Sequence, residues 1–252
     1  MSLLRLEGGQ IATLTLNRPD KLNALTMDML DELEAHLLAL ARDKEVRVVL
    51  LKAEGRAFCV GADIHTWTSL EPLEMWRVWT RRGHEVFGRL AALPQPVIAV
   101  IQGYAFGGGL ELALAADVRL ASESAAFAMP ETGLATLPGW GGTERLPKLV
   151  SVARAKQMIF SGERVSAEKA AKWGLVNEVL PEVELSGRAD ELSSRIAANA
   201  PLAVQMAKQI LNVEQSGPLT EALAGGLSAF TQDAKEGLEA FAKKRSPRFE
   251  GK

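Results

Sequence analysis

Apolar residues along the chain recur with two different periods, every second residue in predicted strands and every three to four residues in predicted helices. Residues 10–17, QIATLTLN, alternate in character and lead into Asn-Arg-Pro, which predicts a strand followed by a turn. The next segment predicts a helix that begins near Thr26, because a threonine side chain can accept a main-chain hydrogen bond at a helix start. The apolar positions that share one face of this helix are Leu30, Leu33, Leu37 and Leu40.

Two later segments contain continuous apolar runs. They are residues 46–53, VRVVLLKA, whose run is residues 48–51, and residues 96–103, PVIAVIQG, whose run is residues 96–101. Continuous apolar runs are typical of strands that are covered on both faces. Further strands are predicted at residues 117–122 and 174–180. Because strands alternate with helical segments, the sequence predicts the α/β class.

The predicted strands stop near residue 185. Beyond this point the helical segments ADELSSRIAANA and PLAVQMAKQILNVEQ follow one another, and Ser-Gly-Pro at residues 216–218 interrupts the pattern. We therefore expect a core of residues 1–185 and a helical C-terminal region of residues 186–252.

The composition narrows the classes of function. Of the 252 residues, 47% are hydrophobic and 24% are charged, as in ordinary soluble globular proteins. The net charge of −2 gives no overall positive field, so we expect neither nucleic acid nor a membrane as a partner. No apolar run approaches the roughly 20 residues of a membrane span. The N-terminus shows no targeting pattern, so we expect a cytoplasmic protein.

Cysteine and histidine usage argues against a metal site. The single cysteine, Cys59, excludes an internal disulfide and is typical of a reducing compartment. The three histidines, His36, His65 and His84, lack the spacing of zinc ligands. We therefore expect no bound metal.

A glycine-rich stretch carries the first candidate for chemistry. In residues 103–117, GYAFGGGLELALAAD, three glycines lead into an apolar helix whose first turn carries Glu111. Glycines at a helix start leave main-chain N–H groups open to a ligand oxygen, as in an oxyanion hole. The same glycines would also let a helix pack tightly on a sheet, with Glu111 complementing the helix dipole. A dinucleotide-binding fingerprint fits poorly, because adjacent glycines have the wrong spacing.

Two further segments extend this candidate site. The turn VGAD, residues 60–63, follows the predicted strand at 46–53, and open α/β sheets place ligands at such turns. An ordinary glycine turn capped by aspartate would have the same sequence. Glu131 follows Pro130 in a loop twenty positions after Glu111 (131 − 111 = 20). Two carboxylates that meet in a water-poor cleft form an acid/base couple, whereas Glu131 alone would be an ordinary solvated side chain.

Six segments together resemble the enoyl-CoA hydratase/isomerase, or crotonase, superfamily. In chain order they are LNRPDKLNAL, AFCVGADI, GYAFGGGLELALAAD, FAMPETGLATLPGWGGTERL, SGERVSAEKAAKWGLVNEV and EGLEAFAKKRSPRF. They extend along nearly the whole chain and are closest to the two-glutamate enoyl-CoA hydratases. The resemblance implies a crotonase-like spiral of ββα units with a helical C-terminal trimerisation region. It also implies a homotrimer or a dimer of trimers, an acyl-CoA substrate and no metal or redox cofactor.

The resemblance implies roles for individual residues. The main-chain N–H groups of Ala62 and Gly108 would form an oxyanion hole for the thioester carbonyl. Glu111 would orient and deprotonate a water that attacks C3 of a trans-2-enoyl-CoA, and Glu131 would deliver a proton to C2. The main-chain N–H of Gly139 would help to position that water.

The resemblance also assigns residues to substrate binding. The turn that would meet coenzyme A contributes Val60, Ala62, Asp63, Ile64 and His65. Lys21 and Lys244 stand where basic residues meet the CoA phosphates, although either lysine could equally be a solvated surface charge. Trp67 lies in the variable segment 65–87 that shapes the acyl pocket, and Trp140 replaces a residue that is small in many hydratases.

The tryptophans have more than one interpretation. The indole of Trp140 would either narrow the acyl site or brace its loop. Trp67, Trp76 and Trp79 would suit a short or bulky acyl group, but their spacing is also that of a helix core. The sequence does not specify the length, branching or ring content of the acyl group.

Three functions are compatible with these residues. The first is an enoyl-CoA hydratase, a lyase of fatty acid β-oxidation or related acyl-CoA catabolism. The second is a Δ3-Δ2 enoyl-CoA isomerase in which Glu131 alone moves the proton, and the third is a catalytically lapsed binding subunit. Glu111 favours hydration over isomerisation, and Gly139 stands where dienoyl-CoA isomerases of the superfamily carry aspartate. We therefore predict a hydratase.

Overall fold

A computed structural model describes residues 2–67, 70–213 and 217–252, and for Trp67 it describes the main chain only. The strands, in chain order, are β1 (Leu4–Glu7), β2 (Ile11–Leu16), β3 (Val48–Ala53), β4 (Val97–Ile101), β5 (Tyr104–Phe106), β6 (Val118–Ser122), β7 (Ala126–Ala128), β8 (Val165–Ser166) and β9 (Glu178–Leu180). The predicted break at 216–218 falls partly outside the described residues, and Pro218 begins a helix.

The helices are α1 (Met27–Arg42), α2 (Ile64–Trp67), α3 (Pro72–Glu74), α4 (Arg81–Ala91), α5 (Gly108–Leu114), α6 (Gly142–Val150), α7 (Val152–Ser161), α8 (Ala167–Trp173), α9 (Glu182–Ala197), α10 (Pro201–Asn212), α11 (Pro218–Ala229) and α12 (Gln232–Ala242). A π-helical segment, Met75–Thr80, joins α3 to α4. Short 3-10 helices span Pro19–Lys21 and Glu131–Leu134.

Two sheets organise these elements. The larger sheet has the order β1-β2-β3-β4-β6-β9, in which β1 and β2 are antiparallel and the other neighbours are parallel. The smaller sheet has the order β5-β7-β8. Parallel strands joined through helices are what the alternating pattern predicts, so the α/β class is confirmed.

The hydrophobic pattern located the long elements correctly. α1 begins directly after Thr26, whose hydroxyl oxygen accepts a hydrogen bond from the N–H of Met29 at 3.2 Å. The predicted strand segments 46–53 and 96–103 contain β3 and β4. All five residues of β4 are buried, as expected for a strand covered on both faces.

The prediction of a strand over 174–180 is correct only for its last three residues. Gly174 has a φ of +83° and ends α8, with its N–H bonded to the carbonyl of Ala171 at 3.0 Å. Leu175 and Val176 are buried, but they lie in the turn that leads to β9. The helix cap therefore overrides the strand-like pattern of these apolar residues.

The larger sheet is covered on both faces. On one face α1, α4 and α5 pack over β3 and β4, with Leu33, Phe87 and Leu110 in one continuous cluster. On the other face Leu185 of α9 packs in a second cluster with Val48 of β3. This double coverage explains why the central strands are almost purely apolar.

Helices α9 to α12 follow one another with no strand between them in the described ranges. α9 crosses the predicted boundary at residue 185 and belongs to the layer that covers the sheet. The division into regions 1–185 and 186–252 stays a prediction. None of the described helices is long and apolar enough to cross a membrane.

Main-chain contacts join the turn after β3 to the glycine-rich start of α5. The N–H of Cys59 donates to the carbonyl of Tyr104 at 2.9 Å, and the N–H of Phe106 donates to the carbonyl of Cys59 at 3.0 Å. Gly109 of α5 packs directly against the main chain of Cys59, and a Cβ placed on this glycine would be only 2.1 Å from the carbonyl oxygen of Cys59. The glycine is therefore required for α5 to begin where it does.

We expect Gly109→Ala to lower the melting temperature by several degrees, because the added methyl group overlaps the Cys59 carbonyl and overpacking costs about 1–3 kcal/mol. Gly88→Ala is the matched control, since Gly88 lies inside α4 and a Cβ there meets no described atom within 4 Å. It should stabilise the protein by roughly 0.5–1 kcal/mol, because alanine favours helix. Scanning calorimetry measures the melting temperatures of both variants. Equal melting temperatures for Gly109→Ala and Gly88→Ala would contradict the claim that α5 has no room for a Cβ at position 109.

Candidate active site

A cavity of about 180 Å³ lies at the glycine-rich start of α5. Its wall combines the turn 60–62, the first residues of α5, the loop 130–140 and the π-helical segment. The exposed members of this wall, which mark its opening, are Ile64, Leu134, Thr136 and Leu137. The structure thus brings the three candidate segments of the sequence to one place.

Ala62 and Gly108 both line this cavity with their main chain. Leu25 and Ala62 pair as neighbouring residues of a parallel sheet do. The N–H of Leu25 donates to the carbonyl of Gly61, and the carbonyl of Leu25 accepts from the N–H of Asp63, both at 2.8 Å. This pairing turns the N–H of Ala62 to the opposite side. A Cβ placed on Gly108 would lie 3.6 Å from the nitrogen of Ala62. Because Gly108 begins α5, its own N–H has no acceptor within the helix.

Gly61 allows this close approach. Its φ is +99°, which a side chain disfavours. A Cβ at this position would lie 2.9 Å from the carbonyl oxygen of Phe106 and 3.2 Å from the nitrogen of Gly108. Any other residue would push the turn away from the helix start and separate the two N–H donors.

Glu111 is the buried carboxylate of the site. It lies on the first turn of α5, and only 2% of the residue is exposed. Its Oε1 accepts hydrogen bonds from the N–H groups of Trp140 at 2.7 Å and Gly142 at 2.8 Å. Burial raises the pKa of Glu111 to about 7, and the charge of Glu131 adds to this while the two N–H donors oppose it. The carboxylate is anchored and titrates near neutral pH.

Glu131 lines the same cavity from the start of its 3-10 helix. Its Oε1 lies 3.0 Å from the place of a Cβ on Gly107, so the glycine leaves room for the carboxyl group. Burial raises the pKa of Glu131 to about 7. Its Oε2 is buried and accepts no hydrogen bond from the described residues. Such surroundings favour the protonated form.

Trp140 both lines the cavity and braces it. Its Nε1 donates to the carbonyl of Trp79 at 3.3 Å, and the two rings pack with centroids 5.2 Å apart. The ring of Phe87 meets the indole nearly at a right angle, with centroids 5.4 Å apart. Gly139 precedes Trp140 in the wall, and a Cβ on it would lie 3.0 Å from Cγ2 of Thr80. The contacts therefore give a physical basis to both interpretations of Trp140, that its indole narrows the acyl site and that it braces the loop.

The predicted coenzyme A turn divides into two groups. Val60, Ala62 and Ile64 line the cavity. Asp63 is buried in the turn, where its Oδ2 accepts from the Arg18 guanidinium at 2.7 Å and its Oδ1 from the N–H of His65 at 3.0 Å. Burial is the largest single influence on the pKa of Asp63 and opposes ionisation, but the hydrogen bonds from Arg18 and from the N–H of His65, together with the charge of Arg18, lower the pKa overall. Asp63 therefore fixes the shape of the turn.

Three of the remaining predicted residues, His65, Lys21 and Lys244, are not part of the described cavity wall. Lys21 and Lys244 are exposed. Lys21 precedes Leu22, whose carbonyl accepts the N–H of Val60 at 3.2 Å, so it lies beside the coenzyme A turn. Lys244 follows α12 in the C-terminal tail. The side chain of Trp67 lies outside the described part of the chain.

Sequence reasoning missed Met75, Thr80 and Arg145. Met75 and Thr80 belong to the π-helical segment of the wall, for which the sequence carries no periodic signal. Arg145 donates to the carbonyl of Trp140 at 3.0 Å, and its charge opposes the upward shift of the Glu111 pKa. The only signal for Arg145 was its place in GWGGTERL, one of the segments that carry the family resemblance.

The groups that the cavity offers to a ligand are two carboxylates and two main-chain donors. Within the described ranges, no three histidine, cysteine, aspartate or glutamate side chains come together in a way that could hold a metal ion. The arrangement can bind a carbonyl oxygen at Ala62 and Gly108 and move protons at Glu111 and Glu131.

Known proteins resemble this chain over nearly its full length. A sequence model of the enoyl-CoA hydratase/isomerase family matches residues 7–252. A short-chain-enoyl-CoA hydratase from Clostridium acetobutylicum is 41% identical over 94% of this chain and 93% of its own length. A crotonyl-CoA hydratase from Syntrophomonas wolfei is 37% identical over 95% of this chain and 94% of its own length.

The three-dimensional structure is shared as well. An enoyl-CoA hydratase from Bacillus anthracis matches with a TM-score of 0.95 and 37% identity, and 100% of each chain is covered. This likeness confirms the predicted crotonase-like fold class. Since sequence and structure agree along the whole molecule, the chain belongs to the enoyl-CoA hydratase/isomerase family.

Proposed function

We propose that the protein is an enoyl-CoA hydratase, a lyase that adds water to a trans-2-enoyl-CoA and gives a 3-hydroxyacyl-CoA. One observation carries the proposal: a buried carboxylate, Glu111, and a half-buried one, Glu131, line one cavity together with the main chain of Ala62 and Gly108. The relatives from Clostridium acetobutylicum and Syntrophomonas wolfei are named as hydratases of such thioesters, which supports the same reaction.

The N–H groups of Ala62 and Gly108 hold the thioester carbonyl. Attack of water at C3 shifts the electron pair of the double bond toward C2 and the carbonyl oxygen, which gains the negative charge of an enolate. A preorganised donor at that oxygen lowers the barrier by about 3–4 kcal/mol. Gly107 and Gly108 carry no side chains, so the oxygen can reach the main chain.

Glu111 acts as the general base. Its two main-chain donors, the N–H groups of Trp140 and Gly142, favour the ionised carboxylate and fix its direction. It takes one proton from the attacking water while the water oxygen bonds to C3. The N–H of Gly139, beside Trp140 in the cavity wall, helps to position that water.

Glu131 acts as the general acid. Its Oε2 accepts no hydrogen bond from the described residues and is buried, so the carboxyl group keeps its proton near neutral pH. It gives this proton to C2, which completes the addition of water. Glu111 is then protonated and Glu131 ionised, and transfer of the proton back, directly or through solvent, restores the starting state.

The proposal extends to substrate binding. Coenzyme A lies along the turn that contains Val60, Ala62, Asp63, Ile64 and His65, with its thioester directed into the cavity. Lys21, beside this turn, and Lys244 in the C-terminal tail meet the phosphates. Trp67 and Trp140 contribute to the acyl pocket. Hydration changes no oxidation state, and the carboxylates and N–H groups of the cavity carry the proton transfers and hold the carbonyl, so the proposal includes no metal or redox cofactor.

The proposal also includes an assembly and a compartment. Helices α11 and α12 expose apolar side chains, and such surface marks protein contacts. The exposed residues include Leu219, Leu223, Leu227, Phe230, Leu238 and Phe241. This surface is compatible with the homotrimer or dimer of trimers that the family resemblance implies, and we propose that assembly. We further propose that the protein works in the cytoplasm, in fatty acid β-oxidation or related acyl-CoA catabolism.

Removing either carboxylate should nearly abolish hydration. We expect kcat for crotonyl-CoA, measured from the loss of enoyl-thioester absorbance, to fall roughly 10²–10⁴-fold in Glu111→Gln and in Glu131→Gln. Glu168→Gln is the matched control, because Glu168 is an exposed residue of α8 paired with Lys172. Near-wild-type turnover in Glu131→Gln would exclude the proposed acid.

The same variants distinguish hydration from isomerisation. An isomerase that uses Glu131 alone would not consume crotonyl-CoA. In deuterated water it would convert a 3-enoyl-CoA to the 2-enoyl form with incorporation of deuterium, and Glu111→Gln would retain this activity. That pattern would replace the hydratase proposal.

Activity should peak near neutral pH. Hydration needs one proton on the carboxylate pair, with Glu131 protonated and Glu111 ionised, and burial raises both pKa values to about 7. At lower pH the base is protonated, and at higher pH the acid loses its proton. We therefore expect a bell-shaped dependence of kcat/KM that belongs to the pair as a whole. A flat profile across neutral pH with crotonyl-CoA would contradict the assignment.

The Glu131 side chain should lower the free energy of unfolding of the protein above neutral pH. Glu131 has a pKa near 7 in the folded chain instead of 4.5, so the folded state holds this proton more tightly than the unfolded state. Stability is therefore lost as pH rises from the unfolded to the folded pKa. Glu131→Gln should raise the free energy of unfolding by on the order of 2 kcal/mol at pH 8 and by less at pH 5. Urea unfolding tests this, and an equal gain at both pH values would contradict it.

A further inference from the structure

The cavity has an open side and a closed end. Ile64, Leu134 and Leu137 are each more than half exposed, whereas Trp79 and Trp140 are 5% and 3% exposed. Coenzyme A is far too large for a space of about 180 Å³, so it stays at the open side. The acyl group therefore points inward, and its far end approaches the two tryptophans.

The indole of Trp140 fills a gap that two glycines leave open. A Cβ on Gly83 of α4 would lie 2.3 Å from Cε2 and Nε1 of the indole. A Cβ on Gly108 of α5 would lie 2.6 Å from its Cζ3. The ring is thus held between the two helices, and its position depends on the absence of side chains at both.

A smaller side chain at position 140 would join this gap to the cavity. The hydrogen bond to Oε1 of Glu111 comes from the main-chain N–H of Trp140, which any residue except proline supplies. Toward the cavity the indole contributes its volume, while its Nε1 donates to the carbonyl of Trp79 and holds the ring in place. The present space is below the roughly 300–1,000 Å³ of ordinary ligand pockets, which limits the acyl group that fits.

We propose that the indole of Trp140 is the wall that determines acyl-chain specificity and restricts this enzyme to short enoyl thioesters. The inference rests on the proposed hydratase function and goes beyond it by naming the substrate class. The crotonyl group fits between the carboxylates and the indole, while the far end of a long chain meets the ring.

The direct test compares substrates of increasing length. kcat/KM is measured for trans-2-enoyl-CoAs of four, six, eight and ten carbons with the wild type, Trp140→Ala and Trp173→Ala. In Trp140→Ala the ratio of the ten-carbon to the four-carbon value should rise ~10-fold or more. Trp173, whose indole contacts Arg154 and Lys169 outside the cavity wall, is the matched control and should leave the ratio unchanged. An unchanged ratio in Trp140→Ala would overturn the proposal.

A double substitution tests the fit between Trp140 and Gly83. Gly83→Ala alone should press the indole toward the cavity and lower kcat/KM even for crotonyl-CoA. In the Trp140→Ala background the same change should be tolerated, and it should lower the long-chain to short-chain ratio again by refilling part of the gap. Purely additive effects would overturn the proposed size complementarity.

Binding of saturated thioesters separates this inference from the reaction. Calorimetry measures the Kd of butyryl-CoA and octanoyl-CoA for the wild type and Trp140→Ala. A selective gain in octanoyl-CoA affinity in the variant supports the wall, even if the wild type hydrates no enoyl-CoA and the proposed function fails. If crotonyl-CoA is hydrated but the relative affinities of the two thioesters stay the same, the inference on Trp140 fails and the hydratase function stands.

Discussion

The site depends on the main-chain contact between the turn at residues 59–62 and the start of α5. Both the N–H and the carbonyl of Cys59 form hydrogen bonds with the main chain of β5. Gly61 and Gly109 let the turn and the helix start approach each other more closely than a Cβ at either position would allow. Main-chain groups have no rotamers to lose, so the N–H donors keep their separation without a side-chain entropy cost. Donors fixed in advance are effective because they need no reorganisation when charge develops. The covered sheet and the smaller sheet hold these two segments in place.

The two carboxylates show how one cavity can hold both an acid and a base. Burial shifts both pKa values toward neutrality, but main-chain donors hold Glu111 while Oε2 of Glu131 has none among the described residues. Environment therefore assigns different roles to identical side chains. Arg145 also affects Glu111, because its positive charge opposes the upward shift of the Glu111 pKa. Its guanidinium donates a hydrogen bond to the carbonyl of Trp140.

Sequence patterns were sufficient for long elements and insufficient for short ones. α1, β3 and β4 each repeat one period over several residues, whereas β5, β7, β8 and the π-helical segment are too short or too irregular to show one. Within the site, Glu111 and Glu131 stood out through bare surroundings and family resemblance. The partners of Asp63 and Trp140, which are Arg18 and Gly83, lie far away in sequence, so no local pattern could reveal those contacts.

Gly108 and Glu111 lie on one turn of α5, a helix whose seven residues are all buried. The group proposed to bind the carbonyl and the group proposed to act at C3 are therefore parts of one rigid element. After gene duplication, selection would remove most changes in this helix, because each would disturb both groups at once. The loop that carries Glu131 is different, since residues 132–137 are exposed and can vary without repacking the core.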